Sequence, residues 1–332
     1  MHLIAAAPHP EFVQKELVHK ANADEVLLTG WTSRADDTFT VSAHWPTAHS
    51  YYVTRRKHVD LMLLNETVRQ VFPLLCHEAY DVPLGHHLLW DTYEYEITPA
   101  ALLAEELSGS VELHVRCLGA LYRGTRLTAL SLLITVTRDG VELATASTRL
   151  TVQAPAIYQR LRHGRGAPGL VRPLPPSRPA AGILPQHIGR SSLNDMVLSP
   201  TGTGAPCLWQ LRVDTGHPLF FDHPVDHVPG LLLIEAALQA AQSVAHPRRM
   251  TPVGMETRFK HYVELDAPCL IEVQQLLDDP LGRAHLGITM RQEGVENFAA
   301  TVTLSPASGS RSEQPLTSII PSSVRTTAQL VS

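Results

Sequence analysis

One stretch decides the fold because it occurs twice, as HVDLMLLNETVRQ at residues 58–70 and as HVPGLLLIEAALQ at residues 227–239. The copies align without gaps at a constant offset of 169 residues, which matches a His, a Glu and a Gln. Both are preceded by an aromatic segment, HSYY at 49–52 and HPLFF at 217–221. Two unrelated amphipathic helices can look alike, but these shared details favour an internal duplication.

Each copy predicts the same order of elements, a buried helix followed by several β-strands. The first helix is predicted from Asp60 to Tyr80, with a kink or an early stop at Pro73. The second begins at Pro229, ends near Ala245 and is apolar nearly all round, so it must be buried on most sides. The predicted strands are Leu88–Ile97, Ser110–Tyr122, Leu127–Arg138, Val141–Val152, Arg258–Val263, Cys269–Leu277, Ala284–Gln292 and Glu296–Leu304. The sequence therefore predicts an α+β fold in which each half is a curved antiparallel sheet around its helix.

Composition divides the chain into two structured units and two other segments. Residues 1–153 and 193–305 are predicted to form the units. Between them, residues 154–192 are rich in Pro and Arg and predict an extended linker without a helix or a central strand. The arginines of this linker are typical of a solvated segment or of a surface that binds an acidic partner. Residues 306–332 are rich in Ser and Thr and are predicted to be disordered.

Overall composition and charge exclude several classes of protein. The chain is 44% hydrophobic and 18% charged, and its 27 Lys and Arg against 32 Asp and Glu argue against a nucleic-acid-binding protein. Its apolar runs are far shorter than the about 18 residues of a membrane span, and its start lacks the basic region of a secretory signal. The four cysteines form no CxxC pair, and no dinucleotide or P-loop motif occurs. We therefore predict a cytoplasmic protein without a cofactor.

Each predicted helix carries one carboxylate within an apolar run, Glu66 in the first copy and Glu235 in the second. A buried carboxylate is costly, so it usually serves a function, although neighbouring polar groups can also satisfy it. Arg69 lies three residues after Glu66 on the same helix face and forms either a salt bridge or a holder for a phosphate or an enolate. The corresponding residue of the second copy is Leu238, so the two sites are not equivalent, and if the chemistry needs the arginine only the cleft with Arg69 is complete.

Residues near the helix starts are further candidates. His58 and His227 precede their helices by equal distances and are predicted general acids or bases, with capping or packing as the alternative. His223 is a candidate for substrate binding. Free N–H groups at the helix start around Gly230 are predicted to polarise a thioester carbonyl. The acids and imidazoles of residues 222–227 lack an HExxH-type spacing, so no metal site is predicted.

A basic trio, Arg55, Arg56 and Lys57, lies just before the first helix. Such a trio is typical of a solvated loop. It is also typical of a rim that attracts phosphorylated substrates and carrier proteins, and we therefore include it among the candidate substrate-binding residues.

The second copy resembles a known group of enzymes. FDHPVDHVPG at 221–230 with LLLIEA at 231–236 is similar to the central-helix motif of hotdog-fold acyl-carrier-protein dehydratases. RFKHYV at 258–263 is similar to their following strand. The sequence departs from this group at His223, which lies two residues nearer the Pro-Gly than the dehydratase histidine does.

A second resemblance covers both halves, nearly all of residues 17–304. The chain is similar to the A-factor biosynthesis (AfsA) family in the motifs TGW at 29–31, DDTFTV at 36–41, ETVRQ at 66–70, HEAYDVPLGH at 77–86, LWD at 89–91 and HPLFFDHPVDHVPG at 217–230. Members are tandem hotdog proteins that make γ-butyrolactone, butenolide or furan signalling molecules. The resemblance implies an acyltransferase that joins a β-ketoacyl group, carried on acyl carrier protein, to dihydroxyacetone phosphate or a related hydroxyl acceptor.

The resemblance also suggests roles and leaves alternatives open. Glu66 or Glu235 would deprotonate the acceptor hydroxyl, and Arg69 or the basic trio would hold the phosphate. Family members typically carry an arginine three residues after the second glutamate, where this chain has Leu238. The halves are expected to pair as an intramolecular pseudo-dimer with clefts between them. A hotdog dehydratase or thioesterase, and a non-catalytic acyl- or lactone-binding protein, are the alternatives.

Overall fold

In the part of the chain that the structure describes, one 12-stranded sheet surrounds the helices. This structure, a computed structural model, describes residues 12–34, 37–52, 60–98, 101, 109–163, 165 and 169–306. Its strands are β1 (Leu28–Ser33), β2 (Thr38–Trp45), β3 (His87–Ile97), β4 (Gly109–Arg123), β5 (Arg126–Arg138), β6 (Val141–Gln153), β7 (Leu198–Pro200), β8 (Leu208–Leu211), β9 (Met250–Phe259), β10 (Cys269–Gln275), β11 (Ala284–Gln292) and β12 (Val295–Pro306). Its α-helices are α1 (Leu61–Glu78), α2 (Pro155–Leu161) and α3 (Gly230–Ala245).

The strand order shows the duplication directly. The sheet runs β1-β2-β4-β5-β6-β3-β9-β12-β11-β10-β8-β7, so the second half repeats the order of the first in reverse. The halves meet where β3 pairs with β9, antiparallel from Thr92 opposite Arg258 to Glu96 opposite Gly254. Helix α1 packs on β1 and β2, and α3 packs on β7, β9, β10, β11 and β12. The predicted α+β architecture, an antiparallel sheet around central helices, is confirmed.

Helix α1 is longer than a sequence with an internal proline suggests. It begins after Asp60, whose carboxylate accepts a backbone N–H of the first turn at 2.8 Å. It continues through Pro73 to Glu78, so the predicted early stop is wrong. A proline removes one helical hydrogen bond, but Leu74 and Leu75 are fully buried immediately after it. Burial of two leucine side chains contributes roughly 3–6 kcal/mol, which is enough to offset that loss.

The stretch 154–192 contains helical structure, contrary to the prediction of a linker without any. Helix α2 begins at Pro155, where a proline costs little because the first N–H of a helix has no helical partner. Tyr158 anchors this helix with only 1% of its surface exposed. A 3₁₀ turn, Pro185–Ile188, follows and corresponds to Lys15–Val18 of the first half.

Most strands lie within a few residues of their predicted positions, but the predicted strand Arg258–Val263 is wrong. The strand in this region is β9, and the chain leaves the sheet after it. Asn297 causes the turn. Its carbonyl accepts the N–H groups of Lys260 and His261 at 2.8 and 3.1 Å, and its side-chain amide donates to the carbonyl of Tyr262 at 2.6 Å.

None of the helices within the described ranges is long and apolar enough to cross a membrane. The segment predicted to be disordered lies outside the described residues except for Pro306, which ends β12. The unit boundaries predicted at residues 153 and 193 stay predictions.

Candidate active site

A cavity of about 870 Å³ lies between the two halves of the chain. Helix α1 and strand β3 line it from the first half, and the segment that leads into α3 lines it from the second. Five of the candidate residues line it together: Glu66, Arg69, His223, His227 and Gly230. Glu235 is not among the residues that line it. The candidates Arg55, Arg56, Lys57 and His58 lie outside the described residues.

Glu66 is completely buried and holds Arg69 in a fixed orientation. Nε and Nη2 of Arg69 donate to its two oxygens at 2.8 and 2.7 Å. Nε2 of Gln70 donates to Oε1 at 2.7 Å, and Nζ of Lys20 lies 3.7 Å from the same oxygen. Burial alone would raise the pKa of Glu66, but Arg69 and Lys20 outweigh it and the pKa lies below its ordinary value. The carboxylate is therefore ionised, and both of its oxygens are occupied.

One nitrogen of the Arg69 guanidinium is available to bind a ligand. Its Nη2 also reaches the carbonyl of Val18 at 3.4 Å, whereas Nη1 makes no hydrogen bond to any described residue. The side chain is 17% exposed and lines the cavity. Nη1 can therefore donate to a carbonyl or anionic oxygen of a bound molecule.

His19 is a cavity-lining residue that sequence reasoning missed. Nδ1 of His77 lies 2.6 Å from the carbonyl of Val82, which only accepts, so this nitrogen carries a proton. Because the proton of the neutral His77 ring is on Nδ1, Nε2 of His77 accepts a hydrogen bond from Nε2 of His19 at 2.8 Å. Burial, followed by His77 and Arg69, lowers the pKa of His19 to about 3. The cavity thus has a neutral hydrogen-bond acceptor, Nδ1 of His19, near the donor of Arg69.

His227 forms a dyad with the aspartate that precedes it. Its Nδ1 lies 2.7 Å from Asp226, its side chain is 25% exposed, and its Nε2 bonds to no described residue. Tyr158 donates its hydroxyl to Asp226 at 2.8 Å, and Nε of Arg162 donates at 3.0 Å. Burial opposes ionisation of Asp226, but the hydrogen bonds from His227, Tyr158 and Arg162 keep its pKa below the ordinary value. The ionised carboxylate orients the imidazole so that Nε2 remains available.

The supports of this dyad come from the segment predicted to be a linker. Tyr158 stacks on His87 with ring centroids 3.5 Å apart. Arg162 pairs with Glu264 through bonds of 2.6 and 2.8 Å and lies 4.2 Å above the ring of Tyr262. The available signal was an aromatic residue and an arginine spaced four apart in the helical run AIYQRLR, a spacing that places both on one face.

The first turn of α3 offers two free backbone donors. Leu232 donates its N–H to the carbonyl of Pro229 at 3.0 Å, but the N–H groups of Gly230 and Leu231 bond to no described residue. Both residues line the cavity. A Cβ atom at Gly230 would lie 2.9 Å from Cε3 of Trp90, so only glycine fits here without displacing the indole. These N–H groups suit an oxygen that becomes negative during a reaction.

Glu235 occupies the equivalent place in α3 but pairs with Arg190. Nε of Arg190 donates to Oε1 of Glu235 at 2.6 Å, and Nη2 bonds to the other oxygen. Nη1 of the same guanidinium bonds to Asp60, and its carbon lies 4.4 Å above the ring of Tyr51. Glu235 therefore has an arginine partner even though Leu238 stands where the first copy has Arg69.

Two carboxylates share this single arginine. Burial raises the pKa of Glu235, Arg190 opposes that effect, and Asp60 competes for the same guanidinium, so the pKa stays above its ordinary value. We call Glu66, Arg69 and Lys20, with the first turn of α3, the open site. We call Glu235, Arg190 and Asp60, with the first turn of α1, the filled site.

A sequence signal for Arg190 lies upstream of the helices. The segments EVLL at 25–28 and DMVL at 195–198 resemble each other. Five residues before each of them, the same alignment places Lys20 opposite Arg190. Each half therefore supplies a buried cation to its own glutamate, from a position far from the helix in the sequence.

No group of three or more His, Cys, Asp or Glu within the described ranges is placed to hold a metal ion. The dyad, the arginine and the backbone donors line the same cavity. Together they can transfer a proton, stabilise an oxyanion and hold a second polar group of a substrate.

The A-factor biosynthesis hotdog domain describes this chain in two copies, since its family model matches residues 3–154 and again residues 174–308. The chain belongs to this family. The two matches agree with the mirrored strand order and confirm the tandem hotdog fold.

Two curated relatives in this family share the name 2-oxo-3-(phosphooxy)propyl 3-oxoalkanoate synthase. The protein from Streptomyces virginiae is 40% identical over 292 residues, which cover 87% of this chain and 96% of the relative. The protein from Streptomyces coelicolor is 33% identical, with 88% and 91% covered. An oleoyl thioesterase structure from Lactobacillus plantarum aligns with a TM-score of 0.50 at 13% identity, covering 82% of this chain and 97% of its own. That likeness concerns the fold alone.

Proposed function

We propose that this chain is an acyltransferase in the biosynthesis of γ-butyrolactone-type signalling molecules, where it joins a β-ketoacyl group to the hydroxyl of dihydroxyacetone phosphate. The name of its relatives describes such a product, the 3-oxoalkanoate ester of a 2-oxo-3-(phosphooxy)propyl group. The proposal rests on the groups that line one cavity. The cavity combines a histidine–aspartate dyad, two free helix N–H groups and an arginine fixed by a buried glutamate.

In this proposal His227 is the general base. Its Nε2 takes the proton of the acceptor hydroxyl while the hydroxyl oxygen attacks the thioester carbon. The carbonyl oxygen becomes negative and accepts hydrogen bonds from the N–H groups of Gly230 and Leu231. The carbon–sulfur bond then breaks, and His227 returns the proton to the departing thiolate. Asp226 stabilises the imidazolium that exists between these two transfers.

The sequence suggested Glu66 or Glu235 as the base that deprotonates the acceptor hydroxyl. We propose other roles for both glutamates. Glu66 has no exposed surface, its oxygens are occupied and its pKa is low, so it is a positioning residue that holds Arg69. Arg69 binds a carbonyl or enolate oxygen of the substrates through Nη1. Glu235 does not line the cavity, and we assign it to the stability of the fold.

The phosphate of the acceptor is bound most strongly by cations that no carboxylate already neutralises. Every Lys and Arg along the described wall of the cavity has a carboxylate partner: the pairs are Lys20–Asp222, Arg69–Glu66, Arg162–Glu264, Arg165–Asp266 and Lys260–Glu296. We therefore assign phosphate binding to the basic trio, which precedes α1 in the sequence.

The acyl donor is a β-ketoacyl chain carried on acyl carrier protein. A thioester on a long carrier arm needs a cavity that is open to the surface and has apolar walls, and this cavity has both. The halves act as an intramolecular pseudo-dimer, because each supplies groups to the same cavity. The boundaries at residues 153 and 193 and the cytoplasmic location rest on the sequence and stay predictions.

A mass spectrum of an end-point reaction tests this function. The protein, a β-ketoacyl carrier protein and dihydroxyacetone phosphate should give a phosphorylated ester or butenolide. His227→Gln should lower the rate by about 10²–10⁴-fold because the base is lost. His285→Gln is the matched control, since His285 also faces an aspartate, Asp279 at 3.6 Å, but does not line the cavity.

Three other outcomes would contradict the proposal. Release of the free acid would indicate a thioesterase, and a dehydrated thioester would indicate a dehydratase. Unchanged substrates with several chain lengths would indicate a protein that binds without catalysis.

A further inference from the structure

One aromatic side chain, Trp90, occupies an unusual position on the cavity wall. It lies in β3 where the register against β6 shifts between Trp90 and Thr92, which marks a β-bulge. A bulge redirects a side chain out of the regular alternation of the strand, and bulges are common next to active sites. Trp90 is partly exposed and lines the cavity.

Two phenylalanines that line the cavity contact the indole, which also stacks on Tyr93 at 5.3 Å. The ring of Phe72, from α1, lies 5.5 Å from that of Trp90, tilted by 56°. The ring of Phe259, from β9, stacks on it at 5.4 Å with an angle of 19°. Both phenylalanines also line the cavity, so the three rings form one apolar wall to which the two halves of the chain contribute. We call these three residues the aromatic wall.

The aromatic wall adjoins the place assigned to the thioester. Cε3 and Cζ3 of Trp90 would lie 2.9 and 3.3 Å from a Cβ at Gly230, and Cε1 of Phe259 would lie 3.2 Å from it. Gly230 supplies one of the free N–H groups for the thioester oxygen. An acyl chain bound by that group therefore starts against the indole and continues along the rings.

We propose that Trp90 is the specificity-determining residue for the acyl chain, and that its indole limits the length or bulk of the chain that fits beside α3. This inference rests on the proposed function for the identity of the donor. Beyond that, the inference requires only that the apolar chain extends from the thioester carbon along the aromatic wall. Apolar contacts discriminate between chains by about fourfold per methylene group, so removing the indole should change preference by a large factor.

The experiment measures kcat/KM for a series of β-ketoacyl thioesters of increasing chain length, with dihydroxyacetone phosphate as acceptor. Trp90→Leu should move the optimum to longer chains and change the ratio between long and short substrates by about tenfold or more. The control is Trp209→Leu, because Trp209 is a partly buried tryptophan of β8 that does not line the cavity. Its variant should keep the wild-type optimum.

A purely structural role for Trp90 would lower the rate for all chain lengths by the same factor. That result, or an unchanged profile, would overturn the inference. If Trp90→Leu fails to fold, Phe259→Leu opens the same wall and should shift the optimum in the same direction.

Binding measurements separate this inference from the proposed function. The probes are unreactive analogues of the same β-ketoacyl thioesters in which a methylene group replaces the sulfur atom and both carbonyl groups are kept. Their affinities should shift with chain length as the kinetic profile does. If the wild type binds these analogues with a clear length preference but transfers no acyl group from the thioesters, the proposed function fails and the role of Trp90 can still be tested by binding. If transfer occurs and the length preference is the same in Trp90→Leu, only the inference fails.

Discussion

The open site and the filled site share the same arrangement of a glutamate and a cation, but only the open site lines a cavity. In each, a glutamate of one central helix is held by a cation from the start of its own half, at Lys20 or at Arg190. In the open site the first turn of α3 has no side-chain cap and lines the cavity. In the filled site Asp60 caps α1, and Arg190 bridges this carboxylate to Glu235. Of two equivalent sites at the ends of the central helices, one therefore lines a cavity and the other is filled by the protein's own side chains.

The charges of the two sites explain why their glutamates titrate differently. The charged groups are Glu66, Lys20 and Arg69 in the open site, with Asp222 beside Lys20, and Glu235, Asp60 and Arg190 in the filled site. The first set is balanced, and the second has one more carboxylate than cations. Burial raises the pKa of both glutamates. Arg69 and Lys20 outweigh burial at Glu66, whereas Arg190 does not outweigh it at Glu235, because Asp60 shares the same guanidinium.

The comparison predicts its largest effect for Arg190→Ala. This change leaves Glu235 and Asp60 buried without a cation, which costs about 3–5 kcal/mol of unfolding free energy. Urea unfolding measures it. Arg291→Ala, which removes an exposed pair with Glu272, should cost less than about 1 kcal/mol. Equal losses in the two variants would show that the filled site does not stabilise the fold.

The same substitution at the two glutamates should separate catalysis from stability. Glu66→Gln loosens Arg69 in the cavity, and a misplaced substrate group can cost about a hundredfold in kcat. Glu235→Gln should instead leave the kcat of the folded protein unchanged, and it should lower the unfolding free energy most at acidic pH, where the contribution of Glu235 to stability is present. Transfer rates and unfolding curves of both variants decide this. A larger loss of kcat in Glu235→Gln would reverse the assignment of the sites.

Gly230→Ala should damage only the open site. The new methyl group meets Trp90 at 2.9 Å, and such overpacking costs about 1–3 kcal/mol. Because the first turn of α3 must shift, kcat should fall along with stability. Gly254→Ala is a useful contrast, since its Cβ would lie 3.1 Å from the carbonyl oxygen of Tyr95, away from the cavity. A Gly230→Ala variant with unchanged kcat would remove the backbone donors from the mechanism.

The smallest predicted effect is a pair of opposite pH dependences. Glu66 has a lowered folded pKa, so its contribution to stability is present above about pH 4.3 and is lost as the pH falls through the folded value. Glu235 has a raised folded pKa, so its contribution is present below about pH 4.3 and is lost as the pH rises through the folded value.

Urea unfolding of the wild type and both Gln variants between about pH 3.5 and about pH 7 measures this contrast. On acidification, the stability difference between the wild type and Glu66→Gln should shrink, while the difference for Glu235→Gln should grow. Parallel changes would contradict the charge comparison.

Local patterns predicted much of this molecule. The repeat around Glu66 and Glu235 located both central helices, and alternation located most strands of the first half. The cavity is lined by Glu66, Arg69, His223, His227 and Gly230, whereas Glu235 is not among its lining residues.

The remaining features depend on tertiary contacts that no local pattern carries. Arg190 lies 45 residues before the glutamate that it neutralises, and Tyr158 lies 68 residues before Asp226. The turn after β9 depends on Asn297, which is distant in sequence from the residues it bonds. Proline content alone also hid α2, because a proline at the first position of a helix does not prevent it.

The most direct test of the account is the number of donor molecules that each chain binds. The wild-type protein would be titrated calorimetrically with an unreactive β-ketoacyl pantetheine analogue in which a methylene group replaces the thioester sulfur. One molecule should bind per chain. Binding should be weakened by Arg69→Lys, which loses the fixed guanidinium, and unaffected by Glu235→Gln in its folded form. Two molecules per chain, or binding that depends on Glu235 and not on Arg69, would contradict the claim that one site is open and the other is filled.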